Sequence, residues 1–223
     1  MQTPFGTDNF AGNPDPRCPC VLLLDVSGSM TGDPIQQLNI GLAQFKQELV
    51  ADQIASRRAE IATITFGPVT VVNDFVVAEA YEPPVLSPQG DTPMGAAIIR
   101  GIELVQGRKA TYKEAGVMYF RPWIFLITDG APTDAYQGAA MAVREGEAAG
   151  KFSFWTVGVS NANMQVLSEI APTTRPPVKL DGLRFRDLFS WLSATMRSRS
   201  ASTPGEKVLL PAITGPAGWA VSD

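Results

Sequence analysis

The sequence of 223 residues contains no histidine, and this absence removes several kinds of chemistry. No histidine-based triad can be built, and no imidazole is present to act as a general base near neutral pH. With only two cysteines besides, the chain also lacks the ligands for a tetrahedral zinc site.

The two cysteines, Cys18 and Cys20, stand on either side of Pro19. Residues two apart in a strand point the same way, so a disulfide between them would be strained. We therefore predict that both thiols are reduced and have a structural role.

The chain has neither an excess of positive charge nor a long apolar run. Charged residues make up 18% of it and the net charge is −4, whereas nucleic-acid binders carry a basic stripe. No apolar run approaches the about 18 residues of a membrane span. The first 17 residues lack the charged start and apolar middle of a signal peptide, so a cytoplasmic location is expected. We predict no nucleic-acid partner and no membrane association.

Strands and helices alternate along most of the chain, which predicts an α/β fold with a mostly parallel sheet. An irregular leader is expected over 1–19, one domain over 20–197, and a C-terminal tail over 198–223. Within the domain, apolar runs predict strands over 20–25, 60–66, 69–77, 123–128, 151–159 and 178–180. Periodic apolar faces predict helices over 34–51, 93–105, 135–149, 164–170 and 185–197, with a loop over 107–122.

The second and third strands are joined only by the turn signal Gly67-Pro68, which is too short for a crossover helix. These strands are therefore expected to pair antiparallel, with the third strand at one edge of the sheet.

Oxygen-bearing side chains stand at three places in the sequence, two of them at the ends of predicted strands. Asp25, Ser27 and Ser29 come directly after a strand that is apolar on both faces, Thr92 ends a long loop, and Asp129 follows a second buried strand. In parallel sheets, ligands bind outside the carboxyl ends of the strands. Carboxylates and hydroxyls are ligands of hard divalent cations, which favours Mg²⁺ or Mn²⁺.

Each of these residues also has a simpler explanation. Ser27 or Ser29 could cap the following helix, and Thr92 before Pro93 is typical of an N-cap that can still face an ion. Thr133 or Asp134 is expected to cap the helix over 135–149, and Asp91 is interpreted as a solvated loop carboxylate.

The motifs resemble the metal-ion-dependent adhesion site of the von Willebrand factor A (vWA) domain family. That site is written Asp-x-Ser-x-Ser, Thr, Asp, and here it corresponds to Asp25-Val-Ser27-Gly-Ser29, Thr92 in Gly-Asp-Thr-Pro-Met-Gly, and Asp129 in Leu-Ile-Thr-Asp-Gly. The resemblance covers about residues 20–197. The segments Val-Leu-Leu-Leu-Asp-Val-Ser-Gly-Ser-Met and Leu-Ile-Thr-Asp-Gly-Ala-Pro-Thr-Asp further resemble the bacterial TerY-like branch, which is associated with tellurium-resistance gene clusters.

The resemblance implies a doubly wound, Rossmann-like sheet of six strands with one antiparallel edge and helices on both faces. It also implies a metal ion, Mg²⁺ or Mn²⁺, held directly by Ser27 and Ser29 and directly or through water by Thr92, Asp25 and Asp129. The implied function is protein binding, in which a partner supplies an Asp or Glu to the metal. The TerY-like kinship implies kinase or phosphatase neighbours and a role in stress response or signalling.

The alternative to a binding module is a metal-dependent phosphoester hydrolase of the haloacid-dehalogenase type, which also has an aspartate after its first strand. That chemistry uses Asp-x-Asp, with the first carboxylate as nucleophile and the second as acid and base. Ser27 occupies the second position here, and no Walker-type phosphate loop occurs. The sequence therefore predicts that the protein is not an enzyme.

Overall fold

The computed structural model describes residues 10, 12–206, 208–214 and 218–221. The strands are β1 (Cys18–Asp25), β2 (Ala59–Phe66), β3 (Thr70–Val77), β4 (Trp123–Thr128), β5 (Ser153–Gly158), β6 (Val178–Leu180) and β7 (Ala220–Val221). The helices are α1 (Asp33–Val50), α2 (Ala55–Arg58), α3 (Met94–Glu114), α4 (Gln137–Ala148), α5 (Met164–Ile170) and α6 (Phe185–Ala201). Short 3-10 turns cover Gly28–Met30 and Ala78–Ala80.

All seven strands belong to one sheet in the order β3-β2-β1-β4-β5-β6-β7. The five inner strands run parallel, and β3 and β7 are antiparallel to their neighbours. The chain winds from β1 outward through β2 and β3 and then crosses to β4 on the other side of β1. This reversal of direction between β1 and β4 creates a crevice at their carboxyl ends, where ligands of doubly wound sheets bind.

Alternate residues of β1 face opposite layers of the core. Leu22 and Leu24 pack with the apolar faces of α1 and α6, whereas Val21 and Leu23 pack with those of α3, α4 and α5. The period of two along a strand requires this division, and a strand covered on both faces must be apolar throughout. The prediction of a doubly wound, mostly parallel α/β fold with helices on both faces is confirmed.

The sheet has seven strands and two antiparallel edges, where the sequence predicts six strands and one such edge. The additional strand, β7, comes from the segment predicted as a tail: Lys179 pairs with Val221 and Leu180 with Ala220. The predicted edge strand β3 is confirmed, as is its antiparallel pairing with β2. The predicted leader over 1–19 lies partly outside the described residues, and Cys18 and Pro19 already belong to β1.

Two local predictions about α3 are wrong. The sequence predicts an end near 105, but the helix continues to Glu114 because Arg108 and Tyr112 keep its inner face packed. The helix continues through Gly107, which lies on its outer side, where an added β-carbon would have no neighbouring atom within 4 Å. The predicted cap also differs, because Pro93 rather than Thr92 occupies the position before α3.

Both cysteines are unpaired and buried in β1, in agreement with the predicted reduced state. Burial raises the pKa of the Cys18 thiol to about 11, so the thiol stays protonated at neutral pH. No helix in the described ranges is long and apolar enough to cross a membrane.

Candidate metal site

The five residues proposed from the sequence lie together at the carboxyl ends of β1 and β4. Asp25 is the last residue of β1, and Asp129 directly follows β4. Asp25 is fully buried, and Ser27, Thr92 and Asp129 are each less than a tenth exposed. Ser29 is exposed, so the site opens to solvent on its side.

A continuous series of hydrogen bonds across the crevice links four of the five residues. The Ser27 backbone N–H donates to Asp25 Oδ1 at 2.8 Å, and the hydroxyls of Ser27 and Ser29 are 3.0 Å apart. The Ser29 hydroxyl then donates to Asp129 Oδ1 at 2.6 Å. The serine hydroxyls therefore bond to each other and to Asp129 rather than to the end of a helix, and neither Ser27 nor Thr92 makes a capping bond with its side chain.

Thr92 joins the site beside Gly130. A β-carbon placed on Gly130 would lie 3.3 Å from Thr92 Oγ1 and 3.7 Å from Asp25 Oδ2, so both oxygens border the same small space. A larger residue at 130 would narrow that space.

The loops that carry these residues are tied to one another by main-chain bonds. Thr133 N–H donates to the Thr92 carbonyl at 2.9 Å, and Thr92 N–H donates to the Thr133 hydroxyl at 3.1 Å. On the other side, Gly28 N–H donates to the Gly90 carbonyl at 3.2 Å. The position of Thr92 is thus fixed against both neighbouring loops.

Asp134 has a different role from the predicted cap of the following helix. Its two carboxylate oxygens accept from Gly95 N–H at 2.9 Å and Ala96 N–H at 2.8 Å, so it caps α3, which begins just after Thr92. Gly95 permits this approach, because a β-carbon there would lie 2.6 Å from the Ala135 carbonyl oxygen. The helix that follows, α4, begins at Gln137, later than predicted, because Thr133 and Asp134 bond instead to the Thr92 loop and to the start of α3.

Thr128, which is not among the site residues predicted from the sequence, orients Asp25. Its hydroxyl donates to Asp25 Oδ2 at 2.5 Å and accepts from Gly130 N–H at 3.1 Å. The sequence does distinguish this residue, because Thr128 is the one polar residue in the buried strand Trp-Ile-Phe-Leu-Ile-Thr. Asp91, interpreted as a solvated loop carboxylate, is exposed.

The electrostatics of the site fit a cation. Burial raises the pKa of the Asp25 carboxyl above its ordinary value, hydrogen bonds from Ser27 and Thr128 oppose this rise, and the neighbouring Asp129 adds to it. A divalent ion between the two aspartates would relieve their repulsion, and the hydroxyls would supply uncharged oxygen ligands. No group of three or more Asp, Glu, Cys or His side chains suited to a metal occurs in the described part of the chain, so this candidate depends on its hydroxyls.

The fold and the site together define a doubly wound α/β domain with an oxygen-lined site at its switch point. The chain belongs to the von Willebrand factor type A domain family, because the model of that family matches residues 20–185. Among curated proteins, none matches this sequence.

Solved structures share the fold at low sequence identity. The pilus adhesin SpaC from Lactobacillus rhamnosus GG has a TM-score of 0.66 and 12% identity over 82% of this chain. Proximal thread matrix protein 1 from the mussel byssus has a TM-score of 0.55 and 16% identity over 82% of this chain and 48% of its own. Manganese-loaded TRAP protein from Plasmodium vivax has a TM-score of 0.50 and 18% identity over 78% of this chain and 73% of its own. The chain spans only 30% of the length of SpaC.

Proposed function

We propose that this protein is a metal-dependent protein-binding module. In this proposal Mg²⁺ or Mn²⁺ is held by Asp25, Ser27, Ser29, Thr92 and Asp129. The observation that carries the proposal is the chain of hydrogen-bonded carboxylates and hydroxyls that joins the β1 loop to the end of β4. The manganese-loaded state of the TRAP neighbour adds support from a protein of the same fold.

The partner completes the site with a carboxylate. The site offers two carboxylates, Asp25 and Asp129, which only balance the charge of a divalent ion, and its other ligands are neutral hydroxyls. The ion can therefore accept an anionic group at a coordination position that the protein does not fill. The exposed side beside Ser29 leaves room for an Asp or Glu of another protein to replace a water on the ion. Magnesium usually keeps several waters, which makes such a replacement possible.

The cellular setting is proposed only from the resemblance of the sequence to the TerY-like branch. The resemblance to the TerY-like branch supports a role in bacterial tellurium resistance or stress signalling, with kinases or phosphatases as neighbours. A cytoplasmic location agrees with that setting and stays a prediction, since the neighbours by fold include a pilus adhesin.

The hydrolase alternative has less support from the geometry. Asp25 is fully buried, and its two oxygens already accept from Ser27 N–H and the Thr128 hydroxyl, which is unfavourable for a nucleophile. The position two residues on is Ser27 rather than an acid. We therefore propose a binding module without catalytic activity. Hydrolysis of a generic phosphoester that needs Mg²⁺ and disappears in Asp25→Asn would favour the enzyme instead.

The first test is metal binding by titration calorimetry. Asp25→Asn should lower Mg²⁺ and Mn²⁺ affinity by more than the about 10–100-fold typical of residues that only orient a metal's ligands. The matched control is Asp91→Asn, which removes an exposed carboxylate from the neighbouring loop and should leave the affinity unchanged. Equal affinities in the wild type and Asp25→Asn would contradict the metal assignment.

Thermal unfolding provides a second readout of the same ion. Large apolar clusters cover both faces of the sheet and stabilise the domain. The chain should therefore unfold cooperatively in chelator, and metal at a hundredfold excess over Kd should add about 2.7 kcal/mol of stability. Loss of the cooperative transition in chelator would show that the metal is needed for folding.

The second test concerns the partner's carboxylate. A protein that binds the immobilised chain in Mg²⁺ should be released by chelator and should not bind Asp25→Asn. Thr92→Ala should weaken the interaction with the partner even where the metal is retained, because Thr92 contributes an uncharged oxygen at the edge of the site. Replacing the responsible Asp or Glu of the partner by Ala should abolish binding. Binding that is unchanged by the chelator and by every such substitution would refute recognition through the metal.

A further inference from the structure

A second pocket lies at the end of the sheet opposite the candidate metal site. We call it the arginine pocket; its cavity is about 560 Å³ and its polar lining consists of Arg121, Arg144, Glu147, Thr173, Thr174 and Arg175. Arg121 precedes β4, whereas Asp129 of the metal site follows it. A strand of six residues is about 20 Å long, so the two sites are spatially separate.

The arginine pocket has an excess of positive charge. Among the described residues that line it, Glu147 is the only acid, against three arginines. Both oxygens of Glu147 are already used: Oε1 accepts from Arg121 at 3.0 Å and from Arg175 at 2.7 Å, and Oε2 accepts from Phe154 N–H at 2.6 Å. In a chain of net charge −4, this surplus is local and is not a property of the whole surface.

The guanidinium groups are held in place by the protein. Arg121 donates to the Phe152 carbonyl at 2.7 Å and to the Glu147 carbonyl at 2.8 Å. Arg175 stacks on the Trp155 ring with its Cζ 4.5 Å from the ring centroid. Because these groups are ordered beforehand, a ligand would lose little binding free energy to side-chain ordering.

The guanidinium groups remain accessible despite these contacts. The side chains of Arg121 and Arg175 are 35% and 25% exposed, and Arg144 is exposed. Thr173 and Thr174 are exposed on the tight turn that Arg175 N–H closes by donating to the Pro172 carbonyl at 2.9 Å. Hydroxyl and guanidinium donors therefore face one cavity.

Other cations surround this end of the molecule and reinforce the positive potential. Burial lowers the pKa of Lys109, and the positive charges of Lys113, Lys151 and Arg121 lower it further. Burial likewise lowers the pKa of Arg199, with smaller contributions from Arg121 and Arg175. An anion bound among these groups would relieve their mutual repulsion.

We propose that the arginine pocket binds a phosphate group, either free or as the monoester of a small molecule or side chain. Planar guanidinium groups match the oxygens of phosphate and bind them through paired hydrogen bonds, and threonine hydroxyls add further donors. The volume falls in the range of about 300–1,000 Å³ of small-ligand pockets, which leaves room for the group that carries the phosphate. This inference is independent of the metal-dependent function proposed above.

The test is calorimetric titration of inorganic phosphate into the full chain in metal-free buffer with chelator. The Asp25→Asn variant should bind phosphate as the wild type does, which excludes phosphate bound through a metal ion. Arg144→Gln should weaken binding by about tenfold to a hundredfold, the effect of losing a hydrogen bond to a charged group. Arg144 is exposed, and its hydrogen bond to the Glu169 carbonyl at 2.6 Å is exposed as well, so its loss should change the thermal unfolding midpoint little.

The matched control is Arg100→Gln, which removes an exposed arginine from a different groove, lined by residues of β3, α3 and α4. This variant should bind phosphate with unchanged affinity. Equal weakening by Arg100→Gln and Arg144→Gln would show that only general electrostatic attraction is involved and would overturn the site. Absence of binding at millimolar phosphate would also overturn it.

The source of the phosphate is identified by comparing three probes: inorganic phosphate, O-phosphothreonine and glucose 6-phosphate. Tighter binding of phosphothreonine assigns the pocket to a phosphorylated side chain, and tighter binding of the sugar phosphate assigns it to a small metabolite. Preference for inorganic phosphate assigns it to the free anion. In each case Arg144→Gln must lower the affinity for the preferred probe. An affinity that this substitution leaves unchanged would contradict the proposed pocket.

Discussion

The Glu60→Gln variant is expected to be less stable than the wild type by about 3–5 kcal/mol, because it removes the charge partner of two buried arginines. Glu60 Oε1 lies 3.0 Å from Arg17 Nε, and Oε2 lies 2.7 Å from Arg108 Nε. Glu60 and Arg17 are each 1% exposed, and Arg108 is 7% exposed. With glutamine at 60, both guanidinium groups would remain buried without a compensating negative charge.

Tyr112 is a further part of this cluster. Burial, together with the charge of Glu60, raises the pKa of Tyr112 well above its ordinary value, so the hydroxyl keeps its proton and donates to Glu60 Oε2 at 2.5 Å. The cluster joins three parts of the chain: the residues before β1, the start of β2 and the last turns of α3. Its loss should therefore weaken the packing at this end of the sheet in several places at once.

Denaturant unfolding of Glu60→Gln and Glu82→Gln provides the measurement and its control. Glu82 makes the same kind of contact, with Lys46, but its side chain is 79% exposed. Exposed pairs contribute about 0–1 kcal/mol, so Glu82→Gln should change the free energy of unfolding by no more than that. Similar losses in both variants would contradict the assignment of a buried charge cluster at Glu60.

The second large effect is expected from Trp219→Ala, which should lower the free energy of unfolding by about 3–5 kcal/mol. Trp219 is 1% exposed and packs edge-on against Trp191, with ring centroids 5.6 Å apart. Its own carbonyl accepts from Asp181 N–H at 2.9 Å and so aligns β7 against β6. Removing the indole leaves a cavity under the last strand and loosens the strand as well.

Leu209→Ala is the matched control within the same segment. Leu209 is 96% exposed, so its truncation removes almost no buried surface and should leave stability within about 0.5 kcal/mol of the wild type. Light scattering adds a second readout, because a displaced β7 would leave β6 as an open edge prone to pairing with another copy. Equal stability of Trp219→Ala and Leu209→Ala would mean that this segment does not stabilise the domain.

The sequence predicts the parts of the fold that depend on strong local patterns. The run Val21-Leu22-Leu23-Leu24 indicates a strand buried on both faces, and the same argument applies to β4. Because both strands are parallel neighbours, the proximity of Asp25 and Asp129 follows from topology. Their roles as metal ligands stay a prediction.

Other features depend on contacts between distant parts of the chain, which a local pattern does not contain. β7 is two residues long and forms because Trp219 is buried against α6 and β6 is available for pairing. α3 continues past Gly107 because Glu60, 48 residues before Arg108, attracts its side chain. The sequence indicates that Asp134 is a cap, but only the tertiary structure shows that it caps α3 rather than the helix after it.

The main-chain bonds between the loops of the candidate metal site have a thermodynamic consequence. The Thr92 carbonyl and Thr133 N–H join one pair of loops, and Gly28 N–H and the Gly90 carbonyl join another, through hydrogen bonds between groups of the protein. Fixing the backbone of one residue costs about 1–2 kcal/mol in conformational entropy. For these loops that cost belongs to folding and not to ion binding. An ion that binds between these loops would find its ligands in position. Its occupancy would change the charge and chemistry of the surface rather than its shape.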